Sequence, residues 1–167
     1  MSENEATTDK IERLITPLET HPPAPEFVAG TKVPADLRER AAADRLGYWA
    51  EQARELEWAT PFTEVLDWSN APFAKWFADG ELNASVNCLD RHVAAGRGDR
   101  VAIHFVGEPG DTRDVTYAEL HREVQRAANV LESLGVTAGD RVAIYLPMIP
   151  ETVVAMLACA RIGAVHS

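Results

Sequence analysis

An alternation of strand and helix patterns over residues 100–167 constrains the fold of this chain more than any other feature. It begins with a strand at Arg100 to Val106, a turn at Glu108 to Asp111 and a return strand at Thr112 to Val115. Pro109 and Gly110 occupy the positions where a type II turn prefers proline and glycine. We therefore predict that the two strands pair antiparallel.

The segment after this hairpin predicts a long amphipathic helix. Residues 116–119 form a capping box, in which the Thr116 hydroxyl accepts from the Glu119 N–H and the Glu119 carboxylate accepts from the Thr116 N–H. Apolar residues then recur at helical spacing, and Gly135 marks the helix end. The predicted apolar face consists of Tyr117, Leu120, Val124, Ala127, Val130, Leu131 and Leu134.

A second strand and a second helix follow. The continuous apolar run from Arg141 to Leu146 predicts a strand covered on both faces, as in a parallel sheet. Residues 150–162 are apolar nearly all round, which predicts a deeply packed helix that begins at Pro150 and ends at Gly163. Ala164 to Ser167 has the pattern of a third strand.

This order predicts an α/β fold and the start of a doubly wound sheet with right-handed crossovers. One short sheet cannot cover a helix that lacks a polar face, so we expect the rest of the domain to lie outside this stretch. The sequence Gly-Asp-Arg-Val-Ala-Ile occurs at residues 98–103 and again at 139–144. We interpret both copies as tight turns that feed buried strands of the same sheet.

The region before residue 96 divides into two parts. Residues 1–34 contain five of the ten prolines and little apolar periodicity, which predicts a disordered leader with room for a short helix near Ile11 to Ile15. Residues 35–95 predict a helical, aromatic-rich extension. Its first helix starts after Pro34 and can divide at Gly47, and its last helix runs from a cap at Asn83 to Ala95.

All four tryptophans lie between residues 49 and 76. One interpretation is a platform that stacks sugar rings or bases. The other is an irregular segment that large aromatic side chains pin to a neighbouring surface, and the acidity of the chain favours it. The aromatic residues concerned are Tyr48, Trp49, Trp58, Phe62, Trp68, Phe73, Trp76 and Phe77.

The overall charge limits the classes of partner that the chain could bind. A net charge of −10 and a pI near 4.9 repel nucleic-acid phosphates and anionic lipid, so we expect neither partner. Residues 1–10 lack a signal-peptide pattern, and the longest apolar run, Thr152 to Ala160, is too short to span a bilayer. We predict a cytoplasmic protein.

Residues capable of chemistry are few. Gly96-Arg97-Gly98 precedes a strand, whereas a phosphate-binding loop follows a strand and opens a helix, so we interpret these glycines as cap and turn. Cys88 and His92 are four residues apart, but two ligands do not make a zinc site. We interpret Cys88 as a packed thiol and His92 as a structural histidine at a helix end. Cys159 is likewise predicted to be a buried free thiol.

The remaining candidates each have a structural explanation. The histidines at 104 and 121 have no nucleophile that the sequence identifies, and His166 and Ser167 are the last two residues of the sequence. Glu119 and Glu151 lie at helix starts, where carboxylates are favoured. We therefore predict no catalytic, cofactor-binding or metal-binding residue in this stretch.

The run Leu134 to Ser167 resembles the early core of the acyl-adenylate-forming, AMP-binding ligases. Within this run, the sequence GDRVAIYLPMIPE followed by AMLACARIGAVHS is similar to sequences of the acetyl-CoA and propionyl-CoA synthetase branch. Four upstream pieces match the N-terminal extension of that branch. They are Gly47 to Ala50, Phe73 to Phe77, Gly80 to Asn83 and Asn87 to His92.

The resemblance covers residues 35–167 and implies the N-terminal portion of an AMP-forming acetyl-CoA synthetase. Residues 35–95 would be its N-terminal extension, and residues 96–167 the incomplete beginning of its AMP-binding domain. The resemblance implies that the full protein converts acetate and ATP·Mg²⁺ to acetyl-AMP and pyrophosphate, after which CoA displaces AMP. The family's phosphate-binding lysine loop, its C-terminal lysine and its CoA-binding arginines are not in this sequence, so we expect this chain alone to be inactive and to bind no cofactor.

Three alternatives stay open at this point. The acid could be propionate or another short-chain acid. The chain could instead be a non-catalytic product that binds a partner or associates with itself through the incomplete sheet. A stand-alone nucleotide-binding module is disfavoured, because no phosphate loop is present.

Overall fold

The computed structural model describes residues 21–167, which fall into two compact units that meet in sequence between Arg40 and Ala41. In the first unit, helix α1 spans Pro25–Ala29, with proline at its first position and Gly30 after its last. Every residue from 21 to 36 is exposed. The predicted helix near residues 11–15 lies outside the described residues.

The helix predicted over residues 35–57 is divided, but not at Gly47. Helix α2 spans Leu37–Ala43 and helix α3 spans Arg45–Arg54. The division falls at Asp44, whose carboxylate caps α3 by accepting from the Gly47 N–H at 2.9 Å. Gly47 therefore lies inside the first turn of α3, where the absence of a side chain leaves room for the cap.

The aromatic segment after α3 is largely irregular. Two short strands, β1 (Leu66–Asp67) and β2 (Lys75–Trp76), pair antiparallel. The rings of Trp58, Phe62 and Phe77 pack against one another with centroids 4.7 to 5.9 Å apart, as the pinned-segment interpretation expects. That interpretation is wrong for three other aromatics, because Trp49, Trp68 and Phe73 are 46%, 53% and 71% exposed.

The helix predicted from Asn83 contains a π-helical turn. A π-helix spans Val86–Asp90 and continues directly into helix α4, Arg91–Ala94. The Asn83 side-chain oxygen accepts from the backbone N–H groups of Ser85 and Val86 at 2.9 and 3.3 Å, which confirms the predicted cap.

Strand β3 (Val101–Val106) pairs antiparallel with strand β4 (Thr112–Thr116), as predicted. The Gly110 N–H donates to the Gly107 carbonyl at 2.9 Å, so the turn is closed one residue earlier than the sequence predicted. Gly110 has a φ of +91°, a conformation that favours glycine.

Helix α5 spans Tyr117–Ser133 and confirms the capping box: the Glu119 N–H donates to the Thr116 hydroxyl at 3.2 Å, and the Thr116 N–H donates to the Glu119 carboxylate at 2.9 Å. The buried face is shifted slightly from the predicted one. Ala128 is buried, whereas Val130 is 55% exposed and Leu134 is 75% exposed.

Strand β5 contains only Arg141–Val142, four residues shorter than predicted, and pairs in parallel with strand β6, Val165–His166. Hydrogen bonding to β6 reaches as far as Ile144, whose N–H donates to the Ser167 carbonyl at 2.7 Å. The next residue, Tyr145, is fully exposed. The predicted strand is therefore shorter because paired backbone is available to only part of it.

Helix α6 spans Pro150–Ile162 between these strands and ends at Gly163 in the left-handed conformation, as predicted. The described residues cover α6 only in part, since Val153 and Met156 are 37% and 40% exposed, which agrees with the expectation from the sequence that this stretch could not cover it fully. The buried cluster comes from the π-helix, α5 and α6. It contains Leu89, Leu120, Val124, Ala128 and Ala158.

The two Gly-Asp-Arg-Val-Ala-Ile copies do not feed one sheet. The strand after the first copy pairs only with β4, and the strand after the second pairs with β6, so that the described residues form three two-stranded sheets. Neither strand is buried throughout, and Val101 and Val106 are exposed. The described chain is thus a mixed helix and strand structure with small sheets. No helix within residues 21–167 has the length and apolarity needed to cross a membrane.

Candidate functional site in the polar network around Asp90

A polar network joins the π-helix to α6. The Arg161 guanidinium donates from Nη1 to Asp90 Oδ2 at 2.9 Å and from Nη2 to Asp90 Oδ1 at 2.6 Å. Both side chains are largely buried, with 20% and 29% of their surfaces exposed. A bidentate arginine–carboxylate pair of this kind fixes orientation as well as distance.

Two further side chains complete the contacts of the pair. His121 of α5 places Nε2 3.1 Å from Asp90 Oδ1, and Arg161 Nη1 also donates to the Ser85 hydroxyl at 3.2 Å. Ser85 is completely buried. The network therefore links three elements through side chains alone.

Two asparagines attach the neighbouring backbone to this network. The Asn83 amide donates to the last carbonyls of α6, those of Ala160 and Arg161, at 3.2 and 3.0 Å. The Asn87 amide donates to the Glu57 carbonyl at 2.8 Å, and its oxygen accepts from the Glu57 N–H at 2.8 Å. The irregular chain after α3 and the end of α6 are thus tied to the same short helix.

The electrostatics keep the central pair ionised. Hydrogen bonding from Arg161 holds the pKa of Asp90 below its ordinary value, with a further contribution from His121, although burial opposes the shift. Asp90 in turn raises the pKa of Arg161. A carboxylate with a lowered pKa and both oxygens engaged is a poor general base, so the arrangement can hold chain segments in place but is not suited to proton transfer.

The prediction that Cys88 is a packed, buried thiol is wrong, because Cys88 is exposed. The π-helix explains this error, because its wider turn changes which residues share a face. His92 Nδ1 instead lies 2.8 Å from Arg97 Nη2, and its ring lies 5.0 Å from that of Tyr117. Burial, with the charges of Arg97 and Arg91, lowers the pKa of His92. Cys159 is buried as predicted, and burial raises the pKa of its thiol.

The other candidates from the sequence are scattered. His104 Nδ1 lies 2.7 Å from Asp114 Oδ1 at the surface of the hairpin. Glu151 accepts from Arg113 at 2.8 Å, which lowers the pKa of Glu151. His166 lies in β6, and the backbone of Ser167 pairs with β5. Of the histidines singled out, His121 is the one that reaches the network.

The glycines of the Gly96-Arg97-Gly98 sequence lie at a helix end and a strand entry. Gly96 has a φ of +72° after α4, and the Gly98 carbonyl accepts from the Ala118 N–H at 2.9 Å. Within residues 21–167 no group of three or more histidine, cysteine, aspartate or glutamate side chains could hold a metal ion.

Sequence reasoning missed Ser85, Asn87 and Arg161. A signal for Arg161 was present, since it is the basic residue in the last turn of an otherwise apolar helix. A charge in such surroundings requires a partner. The partner could not be named from the sequence, because Asp90 is 71 residues away.

The residues of the network come from two regions of the chain that match different family models. The model for the acetyl-coenzyme A synthetase N-terminus matches residues 35–88, and the model for AMP-binding enzymes matches residues 90–167. Asn83, Ser85 and Asn87 fall in the first match, whereas Asp90 and Arg161 fall in the second. Over residues 90–167 the chain matches the family of AMP-binding enzymes.

Within that family, the chain corresponds to the N-terminal portion of the acetyl-coenzyme A synthetases. It is 70% identical over 146 residues to the acetyl-coenzyme A synthetase of Streptomyces avermitilis, and the match covers 87% of this chain and 22% of the relative. It is 67% identical to that of Streptomyces coelicolor, with the same coverage. A solved acetoacetyl-CoA synthetase from Streptomyces lividans superposes with a TM-score of 0.68 at 37% identity, covering 77% of this chain and 20% of that one. The chain thus spans about a fifth of the length of these proteins.

Proposed function

We propose that this chain is the N-terminal part of an AMP-forming acetate–CoA ligase. The observation that carries the proposal is the 70% identity to an acetyl-coenzyme A synthetase over 146 residues. In the proposed reaction, acetate attacks the α-phosphorus of ATP to form acetyl-AMP and release pyrophosphate. The thiol of CoA then attacks the acetyl carbonyl and releases AMP.

The proposed organisation has three parts: a leader at residues 1–34, the N-terminal extension at 35–95 and the beginning of the adenylate-forming domain at 96–167. The matched family model changes between residues 88 and 90, a few residues before the proposed second boundary. The parallel pairing of β5 and β6 around α6 supports a doubly wound sheet that the rest of the domain would extend. The exposed side chains of Tyr145 and Met148 are consistent with a surface that such strands would cover.

Within the longer protein, the described residues would serve as scaffold rather than as catalytic groups. Asp90, Glu119 and Glu151 are each engaged by arginine or by a helix cap, and the described chain offers no metal cluster. Binding of ATP, Mg²⁺ and CoA would therefore fall to residues outside this stretch. The acidic composition supports small-molecule substrates rather than nucleic acid or a membrane surface. A cytoplasmic location is part of the proposal.

The first experiment is to read the DNA that follows the Ser167 codon and to purify the product of any open frame that continues. We expect pyrophosphate release that depends on acetate, and acetyl-CoA when CoA is added. Propionate and acetoacetate are assayed in parallel, and a higher kcat/KM for either would favour the alternative short-chain ligase. A frame that stops directly after Ser167 would contradict the proposal.

The 167-residue chain alone is the matched control. We expect no acetate-dependent pyrophosphate release above the rate without protein. Activity of this chain would show that catalytic residues lie within it and would overturn the proposed scaffold role.

A further inference from the structure

We infer that Asp90 and Asn83 are positioning residues, which act through Arg161 and the end of α6 to set where strand β6 begins. The structural part of this inference concerns the described chain. Its consequence for catalysis rests on the proposed function.

The end of α6 is held from several directions. Asn83 donates to the carbonyls of Ala160 and Arg161, and Asp90 binds the Arg161 guanidinium through both oxygens. On the strand side, the Gly139 N–H donates to the Gly163 carbonyl at 2.9 Å. The side-chain contacts are directional hydrogen bonds, so they define a position rather than merely exclude water.

Strand β6 follows this end almost at once. Gly163 turns the chain with a φ of +75°, and the Val165 N–H then donates to the Asp140 carbonyl at 2.8 Å. The β5–β6 ladder contains two residue pairs, Arg141 with Val165 and Val142 with His166. So short a ladder specifies its own register weakly, and a slip of one residue would turn each side chain to the opposite face.

Stability alone does not account for the charged pair. A largely buried ion pair gives little net stabilisation relative to apolar side chains of similar size, because desolvation offsets the attraction. Apolar contacts between the π-helix and α6 would hold the elements together without fixing their orientation. The bidentate geometry supplies that orientation and thus fixes the exit of α6.

The register of β6 matters for the proposed enzyme. In open α/β sheets, ligands bind outside the carboxyl ends of the parallel strands. Residues that follow Ser167 in the proposed longer protein would be presented at the carboxyl end of β6. Asp90 would therefore influence substrate binding without touching a substrate.

Amide hydrogen exchange on the 167-residue chain tests the structural part. We expect Arg161→Lys, which keeps the charge but loses the bidentate geometry, to speed exchange at Ala164, Val165 and Ser167 about ten-fold. Amides of the β3–β4 hairpin should change less than about two-fold. Arg126→Lys is the matched control, because Arg126 pairs with Glu123 at the surface of α5, and it should leave β6 unchanged.

Two results would overturn the inference. Equal acceleration at β6 and in the hairpin would indicate a general loss of stability, and unchanged exchange at β6 would show that charge alone suffices. Asn83→Ala provides a second variant with Arg161 intact, and it too should accelerate exchange at residues 164–167 before other amides.

The longer protein tests the consequence for catalysis. We expect Arg161→Lys to change the KM of at least one substrate at an unchanged folded fraction, whereas Arg126→Lys should match the wild type. Unchanged KM values would overturn the catalytic consequence. If the wild-type protein has no acetate-dependent activity, the proposed function fails, and the exchange experiment still decides whether Asp90 and Asn83 position β6.

Discussion

The hairpin with α5 and the β5–α6–β6 unit are both built from strands and one helix, but they differ in how fully their parts are paired. The hairpin pairs five residues of each strand, and α5 buries Leu120, Val124 and Ala128. The β5–β6 pair joins two residues of each strand, and several apolar residues around α6 are exposed. The elements of the first region pair and pack with residues nearby in the sequence, whereas those of the second depend on residues farther away along the chain.

The difference shows where local and distant interactions contribute. A capping box and an antiparallel turn are satisfied within a few residues, so they form as the sequence predicts. A parallel strand pair requires a crossover connection, which here is helix α6. The end of α6 is held by the side chains of Asp90 and Asn83, which lie much earlier in the chain. Four predictions test this contrast, in order of decreasing expected effect.

Leu120→Ala should reduce the free energy of unfolding by about 3 kcal/mol, because it leaves a cavity in the buried cluster. Tyr145→Ala, at a fully exposed position after β5, should change it by less than about 0.5 kcal/mol. Urea denaturation of both variants measures the difference. Comparable losses would mean that the residues after β5 are packed in solution.

Asp90→Asn should reduce the free energy of unfolding by about 2 kcal/mol at pH 7, because it leaves the Arg161 charge partly buried without its carboxylate partner. The folded-state pKa of Asp90 is lowered, so its contribution is fully present above the ordinary aspartate pKa of about 3.9 and is lost as the pH falls through the lower folded value. The penalty measured by denaturation should therefore be smaller near pH 3 than at pH 7. An equal penalty at both would contradict the ionised pair.

Gly163→Ala and Gly135→Ala compare the ends of the two helices. Both glycines have left-handed φ values, +75° and +88°, so each alanine should cost about 1 kcal/mol. A new Cβ at Gly163 would lie 3.2 Å from the Ala138 Cβ, whereas nothing lies within 4 Å at Gly135. We expect the Gly163 variant to be less stable by about a further 0.5 kcal/mol in thermal denaturation. A larger loss of stability in the Gly135 variant would show that the chain around Gly163 adjusts to an added side chain more easily than the end of α5 does.

His92→Gln should have the smallest effect, which appears as a change in pH dependence. Burial and the nearby arginines lower the folded-state pKa of His92, so the unfolded chain binds its proton more readily. The neutral form's contribution is present above the unfolded value of about 6.5 and is lost as the pH falls through the folded one. Stability should therefore decline less between pH 7 and pH 5 in the variant. An unchanged slope would show that His92 does not titrate in this range.

The sequence predicted much of the local structure and little of the candidate site. The hairpin strands, the α5 capping box, the Asn83 cap and the start and end of α6 are all present. The π-helix was not predicted, since its pattern over five residues differs little from that of an α-helix. That omission explains why Cys88 was expected to be buried.

The sequence by itself determined the caps, the turns and the alternation of strands and helices, because those features depend on residues a few positions apart. It also contained the family resemblance, which extends over the amino-acid sequence of residues 35–167. The tertiary structure decided which strands share a sheet, how far β5 extends and which carboxylate meets Arg161. Each of these depends on groups brought together from distant parts of the chain, and the order of the residues does not specify which distant groups will meet.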